Sequence, residues 1–252
     1  GATGIEVAGI LSEMKKFVLP NDYPDMSSSL MHIYLIEAGP RLLAGMSEES
    51  SAHAEQFLRE MGVNILLNKR VVDYRDHKVV LEDGTEIATR TFIWVSGVTG
   101  VTIGNLDASL IGRGGRIKVD SFNRVEGMNN VFAIGDQCIQ LADENYPNGH
   151  PQLAQVAIQQ GELLAKNLIR MEKGQEMKPF HYRNLGSMAT VGRNRAVAEF
   201  SKVKMQGWFA WVMWLVVHLR SILGVRNKVI VLLNWIWNYF TYDQSMRMIV
   251  YA

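Results

Sequence analysis

An α/β fold with a mixed sheet is what this sequence predicts, on three observations. Over the first seventy or so residues, apolar segments of strand length alternate with segments of helical period, the pattern of parallel strands joined by crossover helices. The stretch from Val71 to Gly97, VVDYRDHKVVLEDGTEIATRTFIWVSG, instead reads as antiparallel strands, with Asp83-Gly84 as a tight hairpin turn. The last fifth then changes character, to apolar runs dotted with tryptophan.

The elements follow in order. Ile5, Ala8, Leu11 and Met14 recur at helical spacing, predicting an amphipathic helix over residues 5–18 that stops near Pro20. HIYLIE, residues 32–37, is a short apolar strand ending in an acid. Ser47 caps a second helix, Glu48 and Glu49 suit its positive first turn, and Gly62 ends it. VNILL, residues 63–67, is the next strand. A second unit begins after Gly97: a glycine-rich run from Gly112 to Gly115, a strand RIKVD (116–120), a buried strand NNVFAIGD ending at Asp136, and a helix from Ala154 to Met171. Phe180 to Phe200 mixes strand and turn signals.

Composition sets the limits. With 252 residues, 48% of them apolar and 20% charged, the chain can bury a sizeable core. A net charge of +1 gives no expectation of nucleic acid. The single cysteine, Cys138, excludes an internal disulfide framework and a cysteine-based zinc site. The six histidines are scattered, so no metal is expected. The neutral average hides a split. From Ser201 onward six basic residues (Lys202, Lys204, Arg220, Arg226, Lys228, Arg247) face one acid, Asp243, which leaves the remainder net negative. Five of the six tryptophans share that tail.

Two motifs carry chemistry. GATGIEVAG, residues 1–9, places Gly1 and Gly4 ahead of a helix, as in the last two glycines of a G-x-G-x-x-G pyrophosphate turn; the alternative is a helix start with convenient glycines. Glu37, ending the next strand, is placed to accept hydrogen bonds from adenosine ribose hydroxyls, which favours NADH over NADPH, while Arg41 is a possible phosphate partner. Glu6 reads either as a carboxylate near a positive helix end or as a buried acid near a nicotinamide. In the second motif, VFAIGDQC (131–138), Gly135 lets a ligand approach the backbone and Asp136 can accept from a ribityl hydroxyl. It is followed by HPQLAQVAIQQG (150–161), whose Gln155 and Gln159 are either functional or a solvated pair four apart. Cys138 reads as packing, having no partner thiol.

Taken together, GATGIEVAG, LIEAGPRLL, FIWVSGV, NVFAIGD, PQLAQVAIQQG and GSMATVGRNRAVAEF resemble a type II NADH dehydrogenase, the non-proton-pumping NADH:quinone oxidoreductase of respiratory membranes, along essentially the whole chain. The resemblance implies a Rossmann-like NADH-binding domain with an antiparallel insert and its first strand missing (1–96). The return segment of an FAD-binding domain (97–200) and amphipathic membrane-anchoring helices (201–252) follow. The family's N-terminal FAD segment has no counterpart, so the chain reads as a fragment. Residue by residue, Gly1 and Gly4 match the pyrophosphate turn, Glu37 the ribose acid, and Glu6 the glutamate near the flavin–nicotinamide contact. Gly97 and Val98 match the backbone at the nicotinamide, Asp136 the ribityl ligand, and Ala157 the residue approaching the isoalloxazine. Gln155 matches a glutamine at the quinone end of the flavin, and Leu185 and Met188 fall where the family lines its quinone tunnel. Many members carry a lysine where Leu185 stands, so a role for that lysine does not transfer. Glu6 and Gln155 are thus the expected catalytic pair, FAD and NADH the cofactors, and a membrane quinone the electron acceptor.

The tail agrees with that family. GWFAWVMWLVVHL (207–219) and VIVLLNWIWNYF (229–240) are each too short to span a bilayer. Interfacial tryptophans flanked by Lys and Arg describe helices lying in one leaflet, on a lipid surface contacted through 207–240; the alternative is a pair of core helices. His218 in this run reads as a satisfied or interfacial histidine. A homodimer through the anchor and a place on the inner face of the bacterial cytoplasmic membrane are the matching expectations. Two other readings stay open. One is a soluble disulfide or ferredoxin reductase of the same superfamily, against which stand the lack of a C-x-x-C and the apolar tail. The other is a nucleotide-binding or membrane-association module with no flavin chemistry.

Overall fold

The structure, a computed structural model, describes residues 1–101, 103–201 and 203–241. Lys202, Asp243 and Arg247 of the tail, and with them the end of the expected 201–252 anchor, lie outside the described residues. In chain order the elements are α1 (Ala2–Glu13), α2 (Leu19–Asp22), β1 (Ile33–Ile36), α3 (Glu48–Glu60) and β2 (Val63–Leu66). β3 (Val71–Arg75), β4 (Lys78–Leu81), β5 (Glu86–Ala88), β6 (Ile117–Val119) and β7 (Cys138–Gln140) follow. α4 (Ala154–Glu172), β8 (Ser187–Gly192), β9 (Arg195–Phe200), β10 (Val203–Gln206), α5 (Gly207–Ser221) and α6 (Val225–Thr241) complete the described chain. These fall into two compact units, one formed by residues 1–96 together with those from Gly186 on, the other by 97–185. The strand pair β8–β9, grouped with the return segment on sequence, therefore stands in the unit of α1.

In the first unit β1 and β2 pair in parallel with Ile33 opposite Val63, as strand–helix–strand alternation predicts. α3 joins them. Ser47 caps it through a hydrogen bond accepted from the Ser50 N–H, and Gly62 leaves it at φ +83°. The insert is the expected antiparallel sheet β3-β4-β5. Asp83-Gly84 makes one of its turns; Asp76 and His77, at φ +50° and +57°, make the other. Residues 92–95 do not continue it. FIWV carries no strand bonding, although Phe92 stacks on Tyr74 of β3 at 5.0 Å. Apolar alternation marks a candidate strand, but a strand also needs a neighbouring edge to bond to.

Pro20 does not stop the first helix. After α1 the backbone widens to a π-helical turn over Met14–Val18, and α2 runs on to Asp22 with Pro20 in its first turn. There the missing N–H is one that a helix start leaves unpaired anyway. The core gathers Ile5 and Ala8 of α1, Ile33 of β1, Leu58 of α3, Ile65 of β2 and Val191 and Val197 of β8 and β9. α1 also packs on β8 so closely that a Cβ on Gly9 would overlap the Val191 carbonyl.

Antiparallel β8-β9-β10 leads into α5, whose Ala210 is buried against Ala196 and Ala198. The other faces of α5 and α6 expose Trp208, Phe209, Val216, Leu233, Trp237 and Phe240. Among the described residues no helix is long and apolar enough to cross a membrane.

In the second unit β6 and β7 pair in parallel, Ile117 opposite Cys138. The strand expected to end at Asp136 is not there. Val131 and Ile134 are 47% and 37% exposed, residue 132 makes a single bridge to Arg124, and the ladder begins only at Cys138, beyond the turn Gly135–Gln137. β6 bonds to Cys138–Gln140, and the apolar run before it bonds instead to the short segment 123–125, the Val125 N–H donating to the Val131 carbonyl and the Ala133 N–H to that of Asn123. α4 matches its expected span, extending one residue further, to Glu172. It packs through Val156 and Leu163 on Phe180, Tyr182 and Tyr146.

Candidate functional site

The first unit assembles the expected nucleotide residues. No side chain caps α1, so its first N–H groups and its positive dipole end are presented at Gly1–Gly4. Glu37 follows β1 directly. Its Oε1 accepts the Gly39 N–H at 2.9 Å, and its Oε2 lies 3.3 Å from the Gly1 nitrogen. Burial pushes the Glu37 carboxyl up, while the N–H groups of Gly39 and Ala38 pull it down, and its net direction is below the ordinary value. The acid is thus ionised and aimed across the helix start. Gly4 is buried, and a Cβ there would lie 3.3 Å from Leu35 Cδ1 and 3.5 Å from Val95 Cγ2, so glycine lets α1 sit tightly on β1. Arg41 donates to the carbonyls of Met46 (2.8 Å) and Ala44 (3.0 Å), and its guanidinium braces that loop.

Glu6 lies two residues past Gly4, half-buried. Desolvation raises its carboxyl above the ordinary value, opposed by the Thr190 N–H from β8 and by His218 of α5. A carboxyl of that kind stands closer to neutrality than a surface glutamate and can hold or pass a proton nearer to physiological pH. Met188 belongs to this unit too, half-buried on β8 beside Ala198 and Trp211.

The second unit places Asp136, Ala157, Gln155 and Leu185 around the start of α4. Gly135 has φ +67°, and a Cβ there would come within 3.2 Å of the Ala157 Cβ. Both facts require glycine and leave the backbone open to a ligand. Asp136 is exposed, and its carbonyl accepts from Gln152 Nε2 at 3.1 Å. Gln155 Oε1 accepts the Tyr182 hydroxyl at 3.2 Å and the Leu185 N–H at 3.3 Å. The Leu185 side chain is 53% exposed. Gly97 (φ +112°) and Val98 stand at the start of this unit, both exposed.

With that geometry in view, known proteins place the chain. The model of the pyridine nucleotide-disulphide oxidoreductase family matches residues 1–161, and that of the NDH2 C-terminal domain matches residues 184–242. The chain belongs to the pyridine nucleotide-disulphide oxidoreductase family. It is 35% identical over 248 residues to the type II NADH:quinone oxidoreductase NdhA of Mycobacterium tuberculosis, and 32% identical over 246 residues to Ndh of the same organism. Each match takes in 93% of this chain but 51% and 52% of the relative, so the chain spans about half the length of these curated relatives. A solved structure of NDH2 from Plasmodium falciparum in complex with NADH superposes with a TM-score of 0.84 at 18% identity, covering 98% of this chain and 66% of that one, which is a likeness of fold. The resemblance to type II NADH dehydrogenases read from the motifs therefore holds.

One residue that shapes the candidate site was not singled out by sequence. Gln160, 1% exposed, accepts the Gly135 N–H at 2.7 Å and so fixes the turn that presents Asp136. Gln159 clamps the Arg183 backbone through both of its amide atoms, at 2.9 and 3.1 Å. The three glutamines of α4 thus tie down two strips of chain, residues 182–185 and the turn at Gly135. Helical spacing puts Gln155 and Gln159 on one face and Gln160 on another, a signal the sequence carried. Cys138 is buried, and desolvation pushes its thiol up, as packing requires; its Sγ contacts the Gly135 carbonyl at 3.4 Å.

Proposed function

We propose that the chain forms the NADH-binding and quinone-facing part of a flavin-dependent enzyme that oxidises NADH and passes two electrons to a membrane quinone without pumping protons. The observation that carries this is the junction of α1 and β1: a helix start with no side-chain cap, a buried Gly4 that lets the helix sit close on the strand, and Glu37 aimed across it. The M. tuberculosis relatives, which bear the name type II NADH:quinone oxidoreductase, support the acceptor.

In this reading Gly1 and Gly4 open the backbone to the pyrophosphate, and Glu37 receives the ribose hydroxyls. Arg41 is committed to the carbonyls of its own loop rather than to a 2′-phosphate, which supports NADH over NADPH. FAD, when bound, supplies the two-electron chemistry that links nicotinamide to quinone. The Gly135 turn fits its approach, since at φ +67° a side chain would be strained and its Cβ would press on Ala157 at 3.2 Å. Asp136 would receive a ribityl hydroxyl, Ala157 would line the ring, and the backbone at Gly97 and Val98 would meet the nicotinamide. Glu6 would hold a proton near the reacting atoms. Gln155, Leu185 and Met188 would line the quinone end. Functionally the chain divides at 96 and 200 into NADH-binding, flavin-return and anchoring parts. The tail would hold the protein on the inner face of a bacterial cytoplasmic membrane, as a homodimer.

The test is kinetic. The protein expressed from its complete reading frame should reduce a short-chain quinone with NADH. Glu37→Ala should raise the KM for NADH about ten-fold or more, the loss of one or two charged hydrogen bonds, while flavin content stays intact. Loss of flavin in that variant would assign the site to the wrong dinucleotide, and a flavin-free protein that binds NADH without turnover would favour a binding module.

A further inference from the structure

The reading above gives His218 no task. It stands near the end of α5, exposed, with its ring stacked on that of Trp214 at 3.9 Å. Its Nδ1 lies 2.8 Å from the Trp214 carbonyl. A carbonyl only accepts, so Nδ1 carries a hydrogen and donates it. That settles the tautomer of the neutral ring: the lone pair is on Nε2, and Nε2 is the atom that gains and loses a proton. The stack and the hydrogen bond hold the ring at one angle on the helix, which gives Nε2 a fixed direction.

α1 and α5 lie on opposite faces of the β8–β9 hairpin. Ala189, Val191 and Val197 pack with Ile5 and Ala8 of α1, while the alternate residues Met188, Ala196 and Ala198 pack with Ala210 and Trp211 of α5. β8 is the outer strand of its sheet, so the two faces meet around its free edge. Glu6 is at that edge, where its carboxyl accepts the N–H of Thr190 in β8. His218 comes to it from the other face, near enough for its charge to act on the carboxyl. The charged groups nearest along the packed elements are engaged elsewhere. Glu13 of α1 accepts the Arg193 N–H at 2.6 Å, the Arg193 guanidinium grips the Asn238 and Tyr239 carbonyls, and Arg195 faces Glu60 at 3.9 Å. Arg220 of α5 and Arg226 and Lys228 of α6 are cations, and neither helix carries an acid. The acid that His218 reaches is therefore Glu6, on the far side of β8.

Quinone reduction has a use for such a pair. NADH releases a hydride, which is two electrons and one proton, whereas a quinone becomes a quinol by taking two electrons and two protons. One proton per turnover therefore comes from the surroundings. We propose that His218 is the positioning residue that brings this proton in, taking it at Nε2 from the surrounding water and passing it around the free edge of β8, by way of water, to the Glu6 carboxylate. The imidazolium N–H bond breaks as the Glu6 O–H bond forms. Glu6 then gives up that proton to the reaction, and Nε2 is refilled from solvent, so that NADH, one proton and quinone become NAD⁺ and quinol. This rests on the placing of Glu6 near the reacting atoms made above.

The experiment compares two acceptors in the flavin-loaded protein expressed from its complete reading frame. Reduction of a short-chain quinone consumes a proton, and reduction of ferricyanide does not. His218→Asn keeps a donor where Nδ1 stood and removes Nε2. It should lower kcat for the quinone, relative to ferricyanide, about ten-fold; a direct acid–base residue contributes about a hundred-fold or more, and water can still reach Glu6. The solvent isotope effect on the quinone reaction should rise, because arrival of the proton becomes the slow step. In His218→Ala, imidazole added to the buffer should restore the quinone rate in proportion to its concentration, a response that lost packing would not give. An unchanged quinone rate in His218→Asn, equal losses with both acceptors, or no response to imidazole overturns the proposal. Glu6→Gln separates the two readings. If it leaves the quinone rate unchanged, the assignment of Glu6 fails and the proposal falls with it. A slow Glu6→Gln beside an unaffected His218→Asn overturns the role of His218 alone.

Discussion

Glu6 and Glu37 sit on the same unit and are driven in opposite directions by similar physics. Both lose solvent, but Glu37 gains the two backbone N–H groups of Gly39 and Ala38, whereas Glu6 gains one N–H and His218. A raised carboxyl has a thermodynamic signature. Between the unfolded value of 4.5 and the higher folded value, the folded state binds more protons than the unfolded one. Stability attributable to Glu6 is therefore greatest below that window and declines as pH rises through it. Glu6→Gln removes this slope. The variant should gain thermal stability over the unmodified protein as pH is raised from about 4.5 to neutrality, by a few degrees, and the two curves should converge at the acid end. Melting curves across that range decide it; a constant difference would mean Glu6 is not desolvated as described. The type of residue at these positions was legible in the sequence, but which acid would be raised and which lowered was not. For Glu6 that depends on burial outweighing the opposing Thr190 N–H and His218, partners far along the chain that no local pattern announces.

At the scale of elements, α1 shows what sequence periodicity can and cannot reveal. Its apolar spacing was readable, as was the cap on α3 and the Asp83-Gly84 turn, because those signals lie within a few residues. The passage through Pro20 was not, since it depends on a π-helical turn that shifts the proline into a fresh first turn. The lost strand at 131–134 has a similar cause: a strand is completed by its neighbour, and this run meets only the short segment 123–125, through one bridge. Gly9 also looked like an ordinary helix residue. Its reason is the Val191 carbonyl of β8, which a Cβ would overlap. Gly9→Ala gains helix propensity of about 1 kcal/mol yet should be destabilising, because two backbones must separate at a cost of order 1–3 kcal/mol or more. Urea titration should show a lower midpoint with an unchanged slope. A stabilised variant would mean that α1 and β8 do not pack as closely as stated.

For the molecule as a whole, the uneven distribution of charge and tryptophan is the feature most plainly legible in the sequence, and it has a direct test. α5 buries one small residue, Ala210, against β9 and leaves Trp208, Phe209, Val216 and Val217 exposed, while α6 exposes Leu233, Trp237 and Phe240. Beside the bend that joins them stand Arg220, in the last turn of α5, and Arg226 and Lys228, in the first turn of α6. A pair of core helices would hide the aromatic faces and would not gather cations at the connecting bend. Helices lying in a leaflet would do both things seen here, because apolar faces enter the acyl boundary while cations meet headgroups. Binding to vesicles with anionic lipid should therefore weaken as salt rises, and the tail's tryptophan emission should shift to the blue on binding. Changing Arg220, Arg226 and Lys228 together to glutamine should cost about 1 kcal/mol per charge, or about a hundred-fold in affinity. Binding to neutral vesicles should be weaker and indifferent to salt, since only the apolar faces remain to drive it. Equal affinity for neutral and anionic vesicles at every salt concentration would remove the electrostatic part of this account, and no emission shift on either would return the two helices to the role of a covered core.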